Sequence, residues 1–433
     1  MSAGLLASVL FVVMLVLLAG GVWIAIALGL VGWVAIEFFT AAPAGSLLAS
    51  TVWDSSWNWA LTALPLFIWM GEILFRTRLS QDMFTGLSAW LGWLPGRLVH
   101  VNIIGCGIMA AVAGSSAVTC ATVGRISLPE LKKRGYDESL IIGTLAGSGT
   151  LGLLIPPSIM LIVYGVVSQQ SISRLFMAGV LPGLLLIALF MGYVMLRAVL
   201  DPDKTPVETE TLSLKEKLSR SRFLIPVLLL IVAILGSIYG GYATPTEAAT
   251  VGVIGALILA AFSGSLDRHT LLETLLGATR TSCMITLILV AAAFLTMAMG
   301  FTGIPRHLAQ WVETLELSPY ALIAVLMVFY IILGCFLDGV SMLVLTATVV
   351  LPMVKDAGID LIWFGIFAVI VVEMAQITPP VGFNLFVLQG MSGRDIVQVA
   401  RASMPFFFLM ILGIVIITIF PGIVTFLPQT MMR

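Results

Sequence analysis

The chain has 433 residues, of which 60% are hydrophobic and only 10% charged, with a net charge of -1, whereas soluble domains carry about 25% charged residues. That balance excludes a water-soluble globular protein, and it leaves no basic surface for nucleic acid. The chain reads as an all-α polytopic membrane protein.

Apolar runs of spanning length recur from end to end. They cover Leu5 to Phe39, Ala60 to Phe75, Ile141 to Val167, Leu175 to Leu196, Phe223 to Gly240, Ala248 to Phe262, Thr281 to Phe301, Ala321 to Leu337, Leu361 to Val387 and Phe406 to Phe426. Since about 20 apolar residues cross a bilayer core, ten or eleven crossings are expected. The first run is too long and too soon repeated for a cleaved signal peptide, so it is expected to stay in the mature protein. "STVWDSSWNWALTALPLFIW" then supplies Trp53, Trp57, Trp59 and Trp69, which fits an interfacial aromatic belt. Glu72 stands four residues before Arg76, a spacing that predicts an ion pair on one helix face.

"AAVAGSSAVT", Ala110 to Thr119, interrupts an apolar stretch with Gly114, Ser115 and Ser116. The interruption comes too early for a full crossing on each side, so a re-entrant hairpin with its tip at about 113–119 is expected. Downstream, "LAGSGTLGLLIPPS" places two prolines inside an apolar segment. Proline removes a helix donor and clashes with the preceding turn, so a broken helix is expected over about 138–166. The polar stretch from Asp201 to Arg222 reads as a linker.

The second half repeats this punctuation. Sliding the sequence by 223 positions sets Gly29 on Gly252, Leu128-Pro129 on Leu351-Pro352, Asp137 on Asp360, Pro156-Pro157 on Pro379-Pro380 and Pro182 on Pro405. Residues 1–200 and 223–433 are therefore expected to be two repeats joined by the linker 201–222. In the second, the hairpin tip falls at about 334–342, in "GCFLDGVSML", and the broken helix at about 361–389. With the linker cytoplasmic, 17 of the 21 lysines and arginines lie on inside loops if each half makes an odd number of crossings. That distribution obeys the positive-inside bias and predicts inverted topology. "YATPTEAATVG" predicts a helix start with Thr244 as cap, Pro245 at the first turn and Glu247 closing a capping box.

Inverted repeats with breaks at matching positions are the pattern of secondary transporters. Carbonyls freed at a break must face protein, water or an ion. Around Gly152 to Pro157, and at Ala375, Thr378 and Pro380 in the repeat, main-chain oxygens with few carboxylates suit a monovalent cation, sodium, better than a divalent one. Helix N-termini at the tips would favour an anionic substrate. Asp338 and Glu373 are carboxylates within apolar segments, where ionisable groups are costly and commonly functional. The four cysteines, Cys106, Cys120, Cys283 and Cys335, lie in apolar segments without CxxC spacing and read as small hydrophobes. With no HExxH, GxSxG or GxxxxGKS/T motif, the sequence points to no enzyme and no ATP-driven machine.

The motifs "AGSSAVTCATVG", "LGLLIPPSIMLIVYG", "YATPTEAATVGV", "FLDGVSMLVLTATVVLP" and "ITPPVGFNLFVLQG" closely resemble the large membrane subunit of tripartite ATP-independent periplasmic (TRAP) transporters. The resemblance runs over nearly the whole chain. It implies sodium-driven uptake of a small organic anion, a carboxylate or acid sugar, across a bacterial inner membrane. An elevator-type transport domain would move against a scaffold held in membrane lipid. It also implies two partners, a small four-helix membrane subunit and a periplasmic substrate-binding protein, expected here as separate polypeptides. Carried over, one sodium site would use Ser116, Gly152, Ile155 and Pro157, and the other Gly334, Ala375, Thr378 and Val381. Substrate contacts would come from Ser115, Asp338, Ser341 and Asn384, with Arg125 as a counter-group for a carboxylate. The chain departs from the family in having Ala113 where a serine is frequent and Ala375 where glycine is usual. A stand-alone sodium/dicarboxylate symporter, needing no binding protein, is the alternative.

Overall fold

The computed structural model of the chain describes residues 3–57, 59–77, 79–202, 205–206, 213–304, 307, 318–334, 337–379 and 382–430. Their regular structure is helical. The first half holds α1 (Ala3–Ala19), α2 (Ile24–Phe39), α3 (Ala44–Ser56), α4 (Ala63–Phe75), α5 (Leu79–Leu91), α6 (Val99–Ala113), α7 (Ser116–Lys133), α8 (Glu138–Gly149), α9 (Ile159–Ser168) and α10 (Ile172–Leu200). A short helix, α11 (Leu214–Ser221), lies in the linker. After it come α12 (Ile225–Tyr239), α13 (Pro245–Phe262), α14 (Arg268–Thr302), α15 (Pro319–Leu333), α16 (Gly339–Asp356), α17 (Leu361–Ala375), α18 (Phe383–Ser392), α19 (Ile396–Ile419) and α20 (Gly422–Thr430).

Local chemistry sets the boundaries. The run from Leu5 to Phe39 is not one span, because Gly21 takes φ +75° and Val22 N–H reaches back to the Leu17 carbonyl at 3.0 Å, a glycine-terminated helix end. Asp137 starts α8 by accepting from Leu140 N–H at 2.8 Å. Asp360, 223 positions later, starts α17 by accepting from Ile362 and Trp363 N–H at 2.8 and 2.9 Å. The predicted capping box is present: Glu247 accepts from Thr244 N–H at 2.7 Å, and Thr244 Oγ1 accepts from Glu247 N–H at 3.4 Å. The same 223-residue offset carries both ends of α7 onto both ends of α16.

Among the described residues, five helices are individually long and apolar enough to cross a membrane: α10, α13, α14, α16 and α19. Helices α11 and α12 form a pair bent by 53°, and seven further apolar helices have only 10–17 residues. The ten or eleven crossings expected from apolar runs are thus not ten or eleven single helices. Gly and Pro divide several runs, as in Ile141 to Val167, which becomes α8, a 3-10 turn at Thr150–Leu153, and α9.

Packing gathers the helices into two groups. Helices α1 to α4 pack with α12 to α14, while α6 to α10 pack with α15 to α20. The groups meet where α4 lies on α6 and α9, and where α14 lies on α16. Helix α11 packs on α5, with Trp90 Nε1 donating to Ser221 Oγ at 2.6 Å. The predicted Glu72–Arg76 pair gives way to tertiary packing, since the Arg76 guanidinium bridges to Glu273 on α14.

Candidate functional site

The two breaks form by different local routes. Helix α8 ends at Gly149 and tightens into the 3-10 turn; the chain then passes Pro156-Pro157, joined by a cis bond, before α9 begins. Ser158 caps α9 by accepting from Leu161 N–H at 3.3 Å and donates its hydroxyl to the Leu153 carbonyl. At the second break, Thr378 donates both its N–H (3.3 Å) and its hydroxyl (3.1 Å) to the Ala375 carbonyl. Asn384 N–H closes the gap by donating to the Gln376 carbonyl at 3.2 Å. Pro380 and Val381 lie outside the described residues.

Each break meets a hairpin tip. At the first tip, Gly114 adopts φ +60° between α6 and α7, inside the expected range 113–119. Gly152 is pressed onto it, so that an added Cβ would stand 2.6 Å from the Ser115 carbonyl oxygen and 2.7 Å from Ser116 Cα. The Pro157 carbonyl would lie 3.2 Å from a Cβ at Gly114. Ser116, Gly152 and Pro157 are therefore brought together. The Ile155 side chain turns away to α10, where it fills the space beside Gly183, leaving its main chain to serve the break. At the second tip, a Cβ on Gly334 would fall 2.2 Å from Ala375 Cβ, and one on Gly339 would fall 2.5 Å from Val372. Gly334, Ala375 and Thr378 thus also gather at one place.

The substrate candidates divide. Ser115 holds the cap position of α7 in extended backbone without a side-chain capping bond, which leaves the first N–H groups of α7 with no side-chain acceptor from that residue. Asp338 does cap α16: it accepts from Val340 and Ser341 N–H, both at 3.1 Å, and from the Ser341 hydroxyl. Its charge is thus spent on the positive end of α16, and an anion is better received at α7. Asn384 is fully buried, and its side-chain nitrogen lies 3.4 Å from where a Cβ on Gly149 would be. Neither polar atom of that side chain has a hydrogen-bond partner among the described residues. Arg125 is not at the tips. It sits nine residues into α7, about 13 Å along the axis from Ser116, exposed, with its guanidinium 5.4 Å from the Phe75 ring centre.

Three buried hydroxyls join the residues that the sequence singles out. Thr119 and Thr122 on α7 and Ser148 on α8 are buried, with hydroxyls that find no partner among the described residues. Ser116, Thr119 and Thr122 recur every three residues, which on a helix makes one polar stripe; that periodicity was the available signal. Glu373, on the last turn of α17, is 1% exposed and neither carboxylate oxygen accepts a hydrogen bond among the described residues. The arrangement offers unpaired oxygens for a cation beside a helix N-terminus for an anion.

Comparison with known proteins finds a family and several relatives. The family model described as "Tripartite ATP-independent periplasmic transporter, DctM component" matches residues 11–423. The C4-dicarboxylate TRAP transporter large permease protein DctM of Pseudomonas aeruginosa is 33% identical over 403 residues, 93% of each chain. The isethionate TRAP transporter permease protein DctMQ of Oleidesulfovibrio alaskensis is 32% identical over 424 residues, 96% of this chain and 66% of that one. Among solved structures, the YdaH transporter of Alcanivorax borkumensis superposes with a TM-score of 0.60 at 13% identity, over 88% of this chain and 87% of that one, a likeness of fold.

Proposed function

We infer the function from the premise that the chain belongs to the DctM family, the large membrane permeases of tripartite ATP-independent periplasmic transporters. We propose that it carries out sodium-coupled uptake of a small organic anion across a bacterial inner membrane. The anion would be delivered by a periplasmic binding protein, and a small four-helix subunit would complete the membrane unit. Relatives named for C4-dicarboxylates and for isethionate support an anionic substrate, since one name specifies carboxylates and the other a sulfonate.

The observation that carries the reading is the meeting of each broken helix with a hairpin tip, Gly152 on Ser115 and Ala375 on Gly334. Such a junction places main-chain carbonyls, hydroxyls and helix termini together inside the bundle, where lipid cannot satisfy them. Sodium would travel as a co-substrate on the oxygens of Ser116, Gly152, Ile155 and Pro157, and on those of Gly334, Ala375, Thr378 and Val381. The anion would bind at the N-terminus of α7 beside Ser115 and Asn384. The helix boundaries that recur at an offset of 223 residues support two inverted repeats. The division into two helix groups supports an elevator, with α6 to α10 and α15 to α20 moving against α1 to α4 and α12 to α14.

The test is reconstitution in vesicles with the small subunit and binding protein, under an inward sodium gradient, omitting one component at a time. Labelled-carboxylate uptake should need sodium and the binding protein. Sodium-driven uptake by this chain alone would make it a simple symporter instead.

A further inference from the structure

We propose that Glu373 is a direct ligand of the coupling cation, a carboxylate from the second half of the chain that completes the oxygen set at Ser116 in the first; this rests on the sodium-coupled reading above. Glu373 is 1% exposed, and neither of its oxygens accepts a hydrogen bond among the described residues. Helix α17 packs on the 3-10 turn at Thr150–Leu153, and Gly152 in that turn is pressed onto Ser116, so the turn ties the Glu373 helix to Ser116. A buried carboxylate left this way is strongly disfavoured unless a cation joins it, and an ionisable group inside a membrane bundle commonly marks an ion path.

Its position gives it reach over both tips. The last turn of α17 touches the second tip through Val372 at Gly339 and Ala375 at Gly334, while α17 also packs on the 3-10 turn at Thr150–Leu153 that meets the first tip. A cation between Glu373 and Ser116 would bind the two halves together. It would also stand beside the α7 N-terminus, where the substrate anion is received, so anion binding would follow cation binding.

The competing account is a carboxyl that stays neutral as a packing group, and glutamine imitates that form closely. Purified full-length chain would be melted across a sodium chloride series at constant ionic strength, with choline chloride as balance. Wild type should gain thermal stability from sodium in a saturable way. Glu373→Gln should need at least about tenfold more sodium for half its effect. Glu373→Asp, which keeps the charge but withdraws it by one methylene, should shift the midpoint less and alter the preference between lithium and sodium. A Glu373→Gln titration that overlays wild type would overturn the inference while leaving sodium coupling intact. If Glu373→Gln does not yield monodisperse protein, Glu373→Asp decides, and an unchanged midpoint with unchanged ion preference would overturn it equally. Absence of any sodium-specific stabilisation in wild type would instead remove the sodium reading, and this inference with it.

Discussion

Gly152 packs on Ser115 backbone to backbone: a Cβ at position 152 would stand 2.6 Å from the Ser115 carbonyl oxygen and 2.7 Å from its carbon. Neither neighbour is a flexible side-chain end, so the crowding cannot be relieved locally. Gly152→Ala should lower stability by about 1–3 kcal/mol, the usual cost of forcing extra volume into a packed site, and should weaken the sodium response. Gly390 on α18 supplies the control, because a Cβ there meets nothing within 4 Å. Gly390→Ala should be neutral or slightly stabilising through helix propensity. Melting curves of the two purified variants check the contrast, and equal melting points would refute the close-approach account.

Asp338 separates capping from substrate contact. Its Oδ1 accepts from Val340 and Ser341 N–H, so Asp338→Ala should cost about 0.5–2 kcal/mol as a lost N-cap. Asp338→Asn keeps an acceptor and should melt close to wild type. If the carboxylate only caps, Asp338→Asn should also keep substrate affinity in reconstituted vesicles. A normal melt with lost affinity would return Asp338 to the substrate site.

What the sequence made legible follows from which forces are local. The first proline pair, the glycine at the first tip and the Thr244–Glu247 box act within a few residues, and each marks a boundary found in the fold. Partners across the bundle are not local. The spacing of Glu72 and Arg76 predicts a pair, yet the packing of α4 on α14 offers Glu273, and Arg76 goes there. The resemblance offers Arg125 as a counter-group for a carboxylate, but nine residues of helix separate it from Ser116 at the tip. The hydroxyls of Thr119, Thr122 and Ser148 are ordinary in sequence. They gain meaning only when burial leaves them unpaired.

The linker carries a pH dependence with a definite sign. Ser213 donates its N–H to Glu216 at 2.8 Å and its hydroxyl at 2.9 Å, and these bonds hold the Glu216 carboxyl below its ordinary value of 4.5. A depressed folded-state value means that the capping contribution is fully present above about pH 4.5 and is lost as pH falls through the lower folded value. Amide hydrogen exchange over 214–221, corrected for intrinsic rate, should therefore rise on acidification below that value. Glu216→Gln should abolish the dependence; parallel profiles for both proteins would show that another group controls α11.

The two helix groups give the elevator its sharpest test. Thr296 on α14 and Thr348 on α16 share a hydrogen bond of 2.8 Å across the boundary between groups. Glu138 on α8 and Arg394 at the start of the α19 segment form an ion pair within one group. Cysteines at 296 and 348, bridged by a short cross-linker, should arrest uptake in vesicles, because the tip helix α16 would be tied to α14. The same cross-linker between cysteines at 138 and 394 should leave uptake largely intact, because both positions would travel together. Arrest by both bridges would place the moving boundary elsewhere. Arrest by neither would mean that transport proceeds without relative motion of these groups, and a gate local to the tips would have to replace the elevator.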